Sequence, residues 1–193
     1  MSNAIEIEAK ALVSKEDYEK LVKAFRGYKH FIQTNFYIDN DECYLRKEGL
    51  ALRIREKYGQ YEMTLKTPLS QGLLEKNEPM SEECFMSFIH GGKFPDNDLK
   101  RFLTMLDVDV DTLKIKTSLT TNRIDVPYTE GKLSIDENNY SGKKDYEIEF
   151  EYNNEIDAEK ILRELFEKYA IPFTLNKKTK IARAFDALLE EKK

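Results

Sequence analysis

No stretch of about 18 consecutive apolar residues occurs in the 193-residue chain, so no segment reads as a membrane-crossing helix. Cysteine is nearly absent. Two residues, Cys43 and Cys84, cannot form a disulfide framework, and such sparse use fits a reducing cytoplasm. The first ten residues hold two glutamates and no apolar h-region, which is not the pattern of a secretory signal. Glycine (8) and proline (5) are too few and too scattered to mark a linker, so one domain is expected, with a core over about 4–190. There is no repeat of fixed period and no low-complexity tract. The basic excess of a general nucleic-acid binder is missing as well: 31 Lys and Arg against 36 Asp and Glu leave a net charge of −5, and no nucleic-acid partner is expected. Two motifs of nucleotide chemistry are lacking, G-x-x-x-x-G-K-[ST] and G-x-G-x-x-G. The only histidines, His30 and His90, are isolated, which argues against a zinc centre or a Ser-His-Asp triad.

What is present is alternation. Strands are expected at 4–13, 31–39, 43–47, 50–57, 61–67, 73–79, 114–127, 132–136 and 144–152. Short turns at 47–49 and 58–60 suggest hairpins and therefore antiparallel pairing. A helix should begin at Ser14, which can cap it, and stop near Gly27. Helical inserts are expected at 81–89 and 97–106. The chain should finish with two helices, one striped by Ala158, Ile161, Leu162, Leu165, Phe166 and Tyr169, the other by Ile181, Phe185, Leu188 and Leu189. The class is α+β, built on an antiparallel barrel or a strongly curved sheet with helices packed outside.

Residues two apart on a strand share a face, about 6.7 Å from each other. Six strands thereby gain a charged face and an apolar one. Glu6, Glu8 and Lys10 align, as do Arg53 and Arg55, and Glu62, Thr64 and Lys66. Thr121, Arg123 and Asp125 follow, then Ser134 and Asp136, then Glu147, Glu149 and Glu151. If the amphipathic helices cover the apolar faces, the charged faces line a barrel. They cannot form a dry core, because unpaired buried charge is costly. In an open sheet the same faces would lie in bulk water, and the pattern alone allows either. Arg and Lys suit phosphate oxygens. Carboxylates beside them make sense if a divalent cation lies between, and together these are the parts of metal-assisted phosphoryl chemistry.

The order of these residues resembles the CYTH superfamily, the triphosphate tunnel metalloenzymes. Glu6-Ile-Glu8-Ala-Lys10 is similar to its opening E-x-E-x-K signature. The supporting set is Arg53-Ile-Arg55, Thr64-Leu-Lys66, Arg123, Asp136, Glu147-Ile-Glu149-Phe-Glu151 and Lys178-Thr-Lys180 with Arg183. The segments at 33–39 and 72–75 look like the small branch found in Firmicutes. The resemblance covers nearly the whole chain, and Lys178-Thr-Lys180 stands where Lys-Ser-Lys is commoner.

The resemblance implies an eight-stranded antiparallel tunnel that takes a linear triphosphate or nucleoside triphosphate with Mg²⁺ or Mn²⁺. By the family's positions, Glu6, Glu8, Asp136, Glu147 and Glu149 would hold metal, with Glu151 a further candidate on the same face. Lys10, Arg53, Arg55, Lys66, Arg123, Lys178, Lys180 and Arg183 would hold phosphate. Lys10 and Tyr37 match a Lys–Tyr catalytic pair attributed to thiamine triphosphatase, and Lys10 is expected to have a lowered pKa among so many cations. The leading expectation is hydrolysis of inorganic tripolyphosphate. The rivals are thiamine triphosphatase, class IV adenylyl cyclase, and a polyphosphate- or nucleotide-binding module without turnover. Exposed apolar patches would suit a homodimer, and no membrane partner is expected.

Overall fold

The computed structural model describes residues 2–69, 72–152 and 157–191, with side chains from Glu8 onward. The chain is α+β, with eight antiparallel strands and six helices among the described residues. The strand order is β1-β5-β4-β3-β2-β6-β7-β8, the barrel order that the family resemblance implies. These strands are β1 (Ser2–Val13), β2 (His30–Asp39), β3 (Ala51–Lys57), β4 (Gln60–Pro68), β5 (Leu73–Met80), β6 (Lys114–Tyr128), β7 (Gly131–Tyr140) and β8 (Lys143–Tyr152). No helix among the described residues is long and apolar enough to cross a membrane.

The chain divides into two compact units. The first comprises residues 1–5 and 34–119. Here Leu52 and Ile54 of β3 and Met63 and Leu65 of β4 project to one side. They pack against Phe85 and Phe88 of α3 (Glu82–Ile89) and Leu99 and Leu103 of α4 (Asp98–Met105). Tyr61 stacks on Phe85 at 4.5 Å between ring centres. Ser81 and Asn97 cap the two helices by accepting from the amides of Cys84 and Lys100, as their position before an apolar run suggests. β3 and β4 join through Tyr58 and Gly59, whose φ angles of 55° and 71° make the two-residue turn that favours glycine.

One expected strand, at 43–47, is instead a short helix, here α2 (Tyr44–Lys47). Side chains decide this. Asp39 accepts from the amides of Leu45 and Arg46 at 2.9 and 3.1 Å, and Asn40 accepts from Glu42 and Tyr44. Such local bonds offer the backbone an alternative to a sheet ladder. Gly49, at φ 72°, then ends the helix, with Leu50 donating to the Leu45 carbonyl at 2.8 Å. The turn at 47–49 is therefore a helix terminus and not a hairpin.

The second unit comprises residues 6–33 and 120–193. Its core joins Ala9 and Ala11 of β1, Ile124 and Val126 of β6, Leu133 and Ile135 of β7, and Ile148 and Phe150 of β8 to helix residues. Those residues are Tyr18 and Leu21 of α1 (Lys15–Ala24) and Leu162, Leu165 and Phe166 of α5 (Ala158–Lys168). Ser14 caps α1 as expected. The last helix, α6 (Lys180–Glu191), buries Arg183, Ala184, Phe185 and Ala187, while Leu189 of the expected apolar stripe is exposed. The helix is rotated from that stripe because Arg183 is anchored on carboxylates of β8.

A buried carboxylate cluster and a cationic strand face

Within the second unit, register does the assembly. Asp136 of β7 lies opposite both Arg123 of β6 and Glu147 of β8, and Glu149 lies opposite Lys10 of β1. Because alternate residues share a face, the apolar neighbours Ile135, Ile148 and Phe150 go to the helices and the charged ones meet on the other side. Asp136, Glu147 and Glu149 then offer ligand oxygens that all lie within 4.8 Å of one another. Asp136 and Glu147 are fully buried.

Cations hold this cluster. Arg123 grips Asp136 with two bonds of 2.7 and 2.6 Å, and its Nη2 also donates to Glu149 at 2.7 Å. Lys180 Nζ touches all three acids, at 2.8 Å from Asp136, 2.7 Å from Glu147 and 2.5 Å from Glu149. Arg183 bonds both oxygens of Glu147 at 2.9 and 3.0 Å and reaches Asp145 at 2.8 Å. Asn176 adds a bond to Glu147 at 2.7 Å.

These contacts set the charge states. Burial pushes the Glu149 carboxyl up, but Lys180, Arg123 and Lys10 hold it well below the usual range. Burial pushes Arg123 and Lys180 down, and the facing carboxylates more than reverse it. Lys10 follows the same rule. Burial lowers it, yet Glu8, Glu149 and Glu147 leave its pKa above the ordinary lysine value. The expectation of a lowered Lys10 pKa is thus corrected: the nearest groups are acids, with Glu8 in direct contact, rather than fellow cations.

The chain between α5 and α6 delivers Lys180. Leu175 bridges to Ala11, and the Asn176 amide donates to the Lys10 carbonyl at 2.7 Å. Thr179 then caps α6, accepting from the Ala182 amide, a role serine fills equally. The cap separates its two neighbours. Lys180 turns into the cluster, whereas Lys178 pairs with Asp186 and is half exposed.

The structure therefore brings together Asp136, Glu147, Glu149, Arg123, Lys180 and Arg183, with Lys10 and Glu8 adjoining. It places Glu151 apart from them, paired with Lys132 at 2.5 Å. The side chain of Glu6 lies outside the described residues. Asp145 and Asn176 were not singled out by sequence. Alternation on β8 puts Asp145 on the face of Glu147, a usable signal, whereas nothing in the pattern marks Asn176.

The first unit carries a second charged face. Arg53 and Arg55 of β3 lie opposite Thr64 and Glu62 of β4, and Lys66 lies opposite Glu75 of β5. Lys66 meets Glu75 at 2.6 Å, and Arg53 is 3.8 Å from the same oxygen. Arg55 donates to Asn35 at 3.2 Å. Tyr37 of β2 is buried at 4% exposure. Neither histidine joins a charged face: His30 bonds Asn122 and His90 the Met86 carbonyl, both on exposed surface.

Comparison with known proteins places the chain in a family. The family model described as the CYTH domain matches residues 4–185. A Bacillus subtilis (strain 168) protein named "Putative triphosphatase YjbK" is 35% identical over 188 residues, covering 96% of this chain and 97% of its own. A crystal structure from Bacillus halodurans, described as "a putative adenylate cyclase", is 35% identical with a TM-score of 0.88, covering 96% of this chain and all of its own. HpAC1 from Hippeastrum, described as revealing a dominant triphosphatase activity, shares the fold at 22% identity and a TM-score of 0.78, over 94% of this chain and 95% of its own. On the family match and these relatives, the chain belongs to the CYTH domain family.

Proposed function

We propose that this protein is a divalent-metal-dependent triphosphatase whose preferred substrate is inorganic tripolyphosphate. The observation that carries the reading is the convergence of Asp136, Glu147 and Glu149 beside Arg123 and Lys180. Phosphate binding alone would need no carboxylates. An all-oxygen donor set suits a hard cation such as Mg²⁺ or Mn²⁺. These three acids would hold it, with Glu6 and Glu8 added by family position. A metal bound there would neutralise charge on the phosphoryl oxygens.

The chain's own residues do the rest. Arg123 holds Asp136 and Glu149 in place, so the acids need not reorganise. Lys10 serves as a cation for phosphate oxygens, since its acidic neighbours keep its proton in place. By the family's positions Arg53, Arg55 and Lys66 are phosphate-binding candidates of the first unit, and within the second unit Arg183 positions Glu147. Tyr37 is, by the family resemblance, the candidate for assisting proton transfer, while Lys178 is engaged by Asp186 and Glu151 by Lys132. The YjbK relationship supports hydrolysis as the reaction.

A second reading, cyclisation of ATP to cyclic AMP, is favoured by the description given to the Bacillus halodurans relative. A product screen separates them. Purified protein is incubated with tripolyphosphate, thiamine triphosphate or ATP, each with Mg²⁺ and with Mn²⁺. Phosphate release from tripolyphosphate is expected. Cyclic AMP without phosphate release would establish the cyclase, and binding without any product would establish a binding module.

A further inference from the structure

Thr64 is an outlier in the first unit. It is a hydroxyl residue at 0% exposure, in the middle of β4, on the charged side of that strand. Met63 and Leu65, its neighbours, go to the helical core. Directly across the β3–β4 pair stands Arg53. Both residues carry a buried polar atom with no hydrogen-bond partner among the described residues: Oγ1 of Thr64 and Nε of Arg53. Buried polar groups are nearly always satisfied, so each such exception asks for an explanation.

The chemistry of the pair narrows the explanation. A guanidinium Nε–H can only donate. A hydroxyl could in principle accept from it, but these two atoms are not bonded to one another. Residues directly opposite on a strand pair have Cβ atoms about 5 Å apart. The two groups can therefore both reach a single acceptor placed between them. Arg53 already lies 3.8 Å from a Glu75 oxygen through its Nη2, which leaves Nε as the edge still open. Lys66, two residues beyond Thr64 on the same face, adds a second positive charge, and Glu75, which it meets at 2.6 Å, adds one negative charge against the two cations. Two orphan donors, with two cations against the single acid Glu75 beside them, suit an anionic oxygen.

We propose that Thr64 Oγ1–H and Arg53 Nε–H together form a donor pair for one non-bridging oxygen of the bound polyphosphate. Thr64 is then a substrate-binding residue in its own right, and a neutral one. The inference rests on the triphosphate reading above. It also states a trade between stability and binding: an unsatisfied buried hydroxyl weakens the free protein and strengthens the complex.

That trade gives the test. Thr64→Val keeps the shape and removes only the hydroxyl. Calorimetric titration with tripolyphosphate in EDTA should show binding weakened roughly tenfold or more, the effect of one lost bond to a charged group. The urea midpoint without phosphate should stay level or rise, because the orphan hydroxyl is gone. With metal, KM should rise while kcat holds. Thr64→Ser, which restores the hydroxyl, should recover binding. Arg53→Lys keeps the charge but removes Nε–H, and should weaken binding comparably even if the valine variant proves hard to purify. Unchanged affinity in Thr64→Val, or a lowered urea midpoint, would overturn the inference while leaving the triphosphate reading intact. A wild-type protein that fails to bind tripolyphosphate would overturn that reading, and this inference with it.

Discussion

Asp136 shows how much a single buried charge carries. It is fully buried, and its oxygens take Nε and Nη2 of Arg123 and the ammonium of Lys180. Removing one partner of a buried ion pair typically costs about 3–5 kcal/mol, because the remaining charge is stranded. Asp136→Asn should therefore lower stability by that order in urea unfolding, with Arg123 and Lys180 left against a neutral amide. A loss under about 1 kcal/mol would mean that water or a neighbour replaces the carboxylate. Tyr37 differs, since its proposed role is chemical. Tyr37→Phe retains the buried ring and should leave tripolyphosphate affinity unchanged. If the hydroxyl assists proton transfer, kcat should fall roughly 10²-fold. Unchanged kcat would reduce Tyr37 to packing.

At the scale of elements, the sequence was readable wherever backbone pattern and side-chain chemistry agreed. The hairpin at Tyr58-Gly59 and the Ser14, Ser81 and Asn97 caps lie where propensity puts them. Agreement failed at α2, where Asp39 and Asn40 cap a helix that apolar alternation cannot reveal. It also failed at the end of β7, read as 132–136 but running to Tyr140. There, Glu137, Asn138 and Asn139 have poor strand propensity, yet Asn138 is held by Thr121 at 2.8 Å and Asp145 at 2.9 Å. The acids of the site were legible through alternation, which also allowed Glu151 but could not separate it from Glu147 and Glu149. What alternation could not show is that the α6 cap turns Lys180 onto the acids. If a metal binds Asp136, Glu147 and Glu149 as proposed, it competes for oxygens that already hold the Lys180 ammonium. Lys180→Met should then bind Mn²⁺ more tightly than wild type in phosphate-free calorimetry, by roughly tenfold or more, because a competing charge-assisted bond worth about 1.5–3 kcal/mol is gone. Equal or weaker Mn²⁺ binding would show that Lys180 moves aside without cost.

At the scale of the whole molecule, the response to alkali follows from two tyrosines. Tyr18 of α1 is buried against Tyr146, at 4.7 Å between ring centres, and burial with the nearby acids Glu137 and Asp136 pushes its hydroxyl up to about 12. Tyr140, at the end of β7, donates to Asp145 at 2.6 Å, and burial together with that bond also pushes it up to about 12. An unfolded tyrosine titrates near 10. A group whose pKa is raised on folding stabilises the native state fully below its unfolded pKa and loses that contribution as pH rises through the folded one. Stability attributable to these two should thus be level up to about pH 10 and decline between about 10 and 12. Urea midpoints measured at intervals across that window test this, with tyrosinate absorbance followed in parallel. Tyr18→Phe combined with Tyr140→Phe should start from a lower midpoint and fall less steeply, since both titrating groups are gone while the lysines that also discharge there are unchanged. Parallel curves for the double variant and wild type would show that other groups govern the alkaline limb.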